Sequence, residues 1–137
     1  MSQNEKQAAQ QWVGRQFRVK TDLYVFKSAV ADRTYVGANL GELTKVSELP
    51  EEVSEKNIGK ETLNSRIVGV VRSGSIFTVR KVVYARPGGA KTFSLIGDVS
   101  GKASSFENIR SDCLQKDWYV ESPADIALLP QLLEEVK

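Results

Sequence analysis

Histidine is missing from all 137 residues, so proton transfer near neutral pH would fall to carboxylates, lysines or the single thiol. Its absence excludes Ser-His-Asp and Cys-His catalysis and zinc sites that need an imidazole. Cys113 would require a partner that stabilises a thiolate, for which Arg110 lies one helical turn away, and a buried inert thiol is the expectation. Glu48, Glu51, Glu52 and Glu55 gather carboxylates. Their spacing lacks the alternating oxygen ligands and the loop glycine of a calcium site, and no two acids are held at the separation hydrolysis needs. They read as a solvated acidic turn. These limits point to a non-enzymatic chain with no cofactor and no metal.

Binding chemistry has stronger candidates. The net charge of +2 hides a partition along the chain: +3 over residues 1–41, −3 over 42–61, +6 over 62–97 and −4 over 98–137. No acid interrupts residues 62–97, where Arg66, Arg72, Arg80, Lys81, Arg86 and Lys91 could meet a polyanion with Tyr84 available for stacking. A sequence pI near 8.7 falls short of the strongly basic balance usual in nucleic-acid-binding domains. Tyr24, Phe26, Tyr35, Trp118 and Tyr119 could instead line a groove for an extended peptide. Adjacent strand residues face opposite ways, so one of each neighbouring pair is expected in the core.

Positioning these residues requires β structure. Residues 1–11 read as a loose polar tail holding a short helix that Gly14 could cap, ahead of one domain over 12–137. Phe17 and Val19 alternate with Arg18 and Lys20, which predicts a first strand continuing through Phe26 with a bend near Asp22. The stretch from Lys27 to Leu63 keeps no period. It is expected to hold a short strand near Arg33–Val36 and a helical turn near Glu51–Lys56, and to serve as part of a contact surface. Ser65–Arg72 and Ile76–Ala85 flank Ser73-Gly74-Ser75 and predict a hairpin. A second hairpin is predicted at Arg86-Pro87-Gly88-Gly89, pairing Val82–Ala85 with Thr92–Ile96.

After a small-residue loop over 97–105, the spacing of Phe106, Ile109, Arg110 and Cys113 suggests a helical turn, and Trp118–Val120 a last strand. Ser122, Pro123 and Asp125 have the order of a helix start, which predicts a C-terminal helix over 122–136 interrupted at Pro130. About five strands with helical ends predict a mainly β chain, a small SH3-like or alternatively OB-like barrel.

Residues 67–79, Ile67-Val68-Gly69-Val70-Val71-Arg72-Ser73-Gly74-Ser75-Ile76-Phe77-Thr78-Val79, resemble the strand, glycine turn and strand of bacterial SH3-like domains. The Arg-x-Gly-Pro type segment that precedes this hairpin in that family is missing, so no ligand-binding residue carries over. The polar start Ser2-Gln3-Asn4-Glu5-Lys6-Gln7 is similar to the tether of small bacterial envelope proteins, lipoproteins in particular. That resemblance implies a periplasmic or envelope location, with membrane attachment only through a lipid anchor that this chain does not carry. A cytoplasmic location is the alternative. No apolar run reaches the roughly 18 residues of a membrane span. The expected function is a binding or adaptor module for a protein or peptide, monomeric or weakly dimeric. A nucleic-acid-associated barrel using residues 62–97 is the second reading.

Overall fold

The computed structural model describes residues 1–37, 52–61, 64–102 and 104–137. The chain is mainly β, with eight strands in one sheet and one short helix, α1 (Gln3–Gln10). The strands are β1 (Gln16–Val19), β2 (Leu23–Ser28), β3 (Thr34–Gly37), β4 (Ser65–Val71), β5 (Ile76–Ala85), β6 (Thr92–Ser100), β7 (Ser105–Arg110) and β8 (Leu133–Glu135). Their order is β4-β2-β3-β7-β6-β5-β1-β8, antiparallel except where β3 runs parallel to β7. The sheet is open and has eight strands, against an expected barrel of about five.

Strands about 4.8 Å apart would make a flat sheet of this order roughly 34 Å wide. Yet Val71 of β4, Leu23 and Val25 of β2, Phe77 and Val79 of β5, and Leu133 of β8 belong to one buried cluster. The sheet therefore curls around a single core. The predicted 65–85 hairpin does not form: β4 pairs with β2, while β5 pairs with β1 and β6. Its Gly turn instead bonds to β1, with the Gly74 N–H donating to Val19 O and the Val19 N–H donating to Ser75 O, each at 2.8 Å. Gly74, at φ +95°, takes a conformation open to glycine at little cost. The 82–96 hairpin forms as predicted, with Ala85 opposite Thr92 and Lys81 opposite Ile96. Residues 105–110 form β7 rather than a helical turn, and Tyr119 makes only a single bridge to Thr92 in place of a strand.

The expected short N-terminal helix forms, while the C-terminal end departs from expectation. Ser2 and Glu5 form a reciprocal cap, and the Glu5 carboxylate accepts Lys91 Nζ at 3.0 Å. Trp12, just past the helix, donates its indole N–H to Pro123 O at 2.8 Å. Residues 3–10 are thus a docked helix, not a loose tail. At the other end Ser122 caps only one 3₁₀ turn, Pro123–Asp125, and the helix expected over 122–136 is replaced by extended chain and β8. Pro130 cannot donate to a continuing helix. The exposed edge of β1 offers the competing ladder, with Glu134 opposite Arg18 and Glu135 opposite Phe17, where the Glu135 carboxylate takes two bonds from Arg15.

β2 is buried on both faces. Leu23 and Val25 enter the main core, and Tyr24 and Phe26 form a second cluster with Ile67 and Val70 that Val53 covers. The Tyr24 hydroxyl donates to Glu52 O and accepts from the Ser54 N–H and from Asn57 Nδ2, which fixes the described part of the early loop against the sheet.

Two predictions follow from this packing. A Cβ on Gly97 would lie 2.3 Å from Thr78 O and 2.7 Å from the Phe77 ring, so Gly97→Ala is expected to cost about 1–3 kcal/mol in denaturant unfolding. The Ser2 N–H and then Lys91 hold the Glu5 carboxyl down at about 2, below its ordinary 4.5. A depressed carboxyl stabilises the fold above its unfolded value and loses that contribution as pH falls through the folded value. The Tm advantage of wild type over Glu5→Gln should accordingly be complete above pH 5 and shrink between pH 4.5 and 2.

Candidate functional site

Alternation along β6 sets up the site. Phe93 and Leu95 point into the core, which leaves Thr92 and Ser94 on the outer face of the sheet. β3 and β7 behave likewise: Val36 and Ile109 are core, and Tyr35 and Arg110, paired across the parallel ladder, lie outside. A cleft of about 520 Å³ lies over this outer face. Its floor includes Tyr35, Ser94 and Arg110, and its walls include Trp118, Tyr119 and Pro87. That volume falls within the roughly 300–1,000 Å³ typical of ligand sites.

The wall is built by residues 111–119, which are bonded to β6 at both ends. The Ser111 N–H donates to Leu95 O at 3.0 Å, and the Ser111 hydroxyl accepts the Leu95 N–H at 2.9 Å and donates to Gln115 Oε1. Buried Gln115 donates to Phe93 O at 3.0 Å. Trp118 donates its indole N–H to Asp112 O at 2.7 Å, so its ring is fixed although its edge is open to solvent. Tyr119, 62% exposed, is the most open aromatic of the wall.

The electrostatics of the cleft are simple. Arg110 makes two bonds to the Asp112 carboxylate, at 3.0 and 3.3 Å, in a pair that is 15% and 9% exposed. Arg33 adds an exposed guanidinium that makes no ion pair with a described residue. Neighbouring Cys113 is pushed up to about 12 by burial and then by the Asp112 charge. It has no thiolate character at neutral pH.

Three of the expected partner-binding residues, Tyr35, Trp118 and Tyr119, meet in the cleft. The others go elsewhere. Tyr24 is 1% exposed and is removed from any surface. Tyr84 stacks against Phe93 at 5.1 Å on the core side. Arg72 bonds Asp22 at 2.8 Å and also Glu55; these contacts raise its own affinity for protons, while Asp22 is held low first by the Ser73 N–H and Glu55 by Arg72. Arg80 bonds Asn108 at 2.8 Å and lies 3.5 Å from Asp98. Arg86 closes its own turn on Gly89 O, and Lys91 is bound to Glu5. Lys81 is exposed on β5 without an ion pair among the described residues.

Of the polar cleft residues, Arg33, Thr92, Ser94 and Asp112 are given no binding role from sequence, and Arg110 is considered only as a cation near Cys113. The legible signal was the alternation Thr92-Phe93-Ser94-Leu95, which marks Ser94 as outward-facing. A second hollow of about 380 Å³ lies between the turn at 73–75 and Gly101, Lys102 and Ser104, but the N–H groups of Ser73, Gly74, Ser75 and Gly101 are all bonded within the chain. Glu48 and Glu51 lie outside the described residues. Among the described residues no three His, Cys, Asp or Glu side chains converge as metal ligands, and no helix is long and apolar enough to cross a membrane. No family model, curated protein or solved structure matches the chain.

Alkylation checks the state of the thiol. Iodoacetamide at pH 8 should label Cys113 at a negligible rate in the native protein and rapidly in denaturant.

Proposed function

We propose that the chain is a non-enzymatic binding module that holds a segment of a protein or peptide partner in the cleft between the outer face of β3, β7 and β6 and the 111–119 wall. The observation that carries this reading is the convergence of Tyr35, Trp118, Tyr119 and Pro87 around one cleft with a polar floor. Flat rings beside a few fixed polar groups are the usual furniture of peptide-recognition grooves. An envelope location goes with this reading and rests only on the resemblance of residues 2–7 to a polar tether, which the docking of residues 3–10 as a helix weakens. The SH3-like segment at 67–79 frames the corner beneath β1 and adds nothing to the cleft.

The nucleic-acid reading loses support from the ion pairs. Arg72, Arg80 and Lys91 each face a carboxylate of this same chain, and Arg86 is committed to a backbone carbonyl. A phosphate backbone would have to compete with those partners.

Peptides selected by phage display on the full chain should perturb amide resonances of residues 111–119 and β6 in ¹⁵N spectra. Tyr119→Ala, at an exposed position, should weaken their binding by about 30-fold, and Trp118→Ala at least as much with an unchanged circular dichroism spectrum. Selected peptides that bind Tyr119→Ala as tightly as wild type would place the interaction elsewhere.

A further inference from the structure

The floor of the cleft contains hydroxyls whose burial is unexplained by the fold. Ser94 is 3% exposed and Tyr35 8%, and neither side chain makes a hydrogen bond to a described residue. Burying a hydroxyl without a partner costs about 1–3 kcal/mol, so two beside one cleft call for a reason. Arg110 spends its Nε and Nη2 on Asp112, which leaves Nη1 without a partner among the described residues. Arg33 stands at the rim and makes no ion pair with a described residue.

What these four groups share is that each can donate. Guanidinium groups donate only, and the hydroxyls of serine and tyrosine rotate to donate when an acceptor is supplied. Asp112, the one carboxylate of the cleft among the described residues, has both oxygens bonded to Arg110. The cleft therefore offers unmet donors, one unneutralised positive charge and aromatic walls. An acceptor-only, singly charged group complements that set, and a carboxylate is such a group. A phosphate monoester carries about −1.5 to −2 at neutral pH and suits this single free charge less well.

We infer that the cleft recognises its peptide through a carboxylate, seated on Ser94, Tyr35 and Arg110 Nη1 with Arg33 at the rim, while Trp118 and Tyr119 hold the adjoining side chain. The inference rests on the peptide-binding reading and specifies its chemistry. The carboxylate belongs either to a peptide C-terminus or to an Asp or Glu side chain, and the two sources separate in the assay.

The test uses the full chain against two displayed libraries, one with free C-termini and one with internal random segments. Each enriched peptide is resynthesised with its terminal carboxylate amidated or its acidic side chain changed to the amide. Removal of the recognised carboxylate is expected to weaken binding by about 10- to 100-fold, as are Arg33→Gln and the double variant Tyr35→Phe with Ser94→Ala. Arg33 is exposed and the double variant removes only hydroxyl oxygens, so folding is retained. Loss on terminal amidation identifies a C-terminal ligand, and loss on side-chain amidation an internal acid. Peptides that need Tyr119 but tolerate every carboxylate replacement overturn the carboxylate inference and leave the peptide reading standing. If adenosine monophosphate or inorganic phosphate displaces the peptides at lower concentration than acetate, the carboxylate inference falls alone; if no peptide distinguishes wild type from Tyr119→Ala, both fall.

Discussion

The corner where the β1–β2 connection meets the β4–β5 turn is the constraint on which the rest of the molecule depends. Asp22 accepts the Ser73 N–H and binds Arg72, the Ser73 hydroxyl donates to Lys20 O, and the Gly74 N–H donates to Val19 O. These bonds bring β4, at one end of the strand order, against β1, near the other. They fasten the curl that places Val71 and Leu133 in one core, which the burial of that core also favours. With them, the concave face is filled by aliphatic and aromatic side chains, and the convex face over β3, β7 and β6 is left for polar residues and the 111–119 segment.

The same corner explains why local pattern misjudged the strongest β signal. Ser73-Gly74-Ser75 is good turn material, and the strands on both sides are strands. Whether two strands joined by a turn also pair depends on what else is available to each. β2 takes β4 through six residue pairs, Leu23–Val71 to Ser28–Ser65, and β1 takes the start of β5. The 82–96 hairpin had no such competitor along Val82–Ala85, so its pairing was legible from the Pro87-Gly88-Gly89 turn and the β-forming segments on either side. The C-terminal segment shows the opposite error. A serine cap and a leucine stripe favoured a helix, while the decisive partners, the β1 edge with Arg15 and Arg18, lie more than a hundred residues away.

Charge was legible as a partition and illegible as a purpose. The acid-free block 62–97 suggested an external polyanion. In the folded chain Lys91 meets Glu5, Arg72 meets Asp22 and Glu55, and Arg80 meets Asp98, so basic residues of this block are answered by acids drawn from all three other blocks. Exposed pairs of this kind are worth about 0–1 kcal/mol each, and their effect lies more in matching segments than in holding them. The pairs join segments far apart in the chain, although the basic block also folds on itself in the 82–96 hairpin. Arg33 and Lys81 lie outside this matching, and of the two only Arg33 stands beside a cleft.

The cleft could not be read from sequence because it is made by the one parallel contact in the sheet. Tyr35 and Arg110 are 75 positions apart and become neighbours only through the pairing of β3 with β7. Once there, they sit under a wall that is ordered before any ligand arrives: Ser111, Gln115 and Trp118 each spend their polar atoms on the backbone or on one another. Immobilising a side chain at an interface costs about 0.5–1.5 kcal/mol, and here the indole and the segment that carries it are already held. The floor is ordered too, since Ser94 and Tyr35 are buried by packing and not by bonds of their own. A cleft with fixed walls and unmet donors is unfavourable in the free chain and favourable in a complex. On the proposed reading, that asymmetry would let a shallow site on a small open sheet discriminate between a peptide with the right acceptor and one without it.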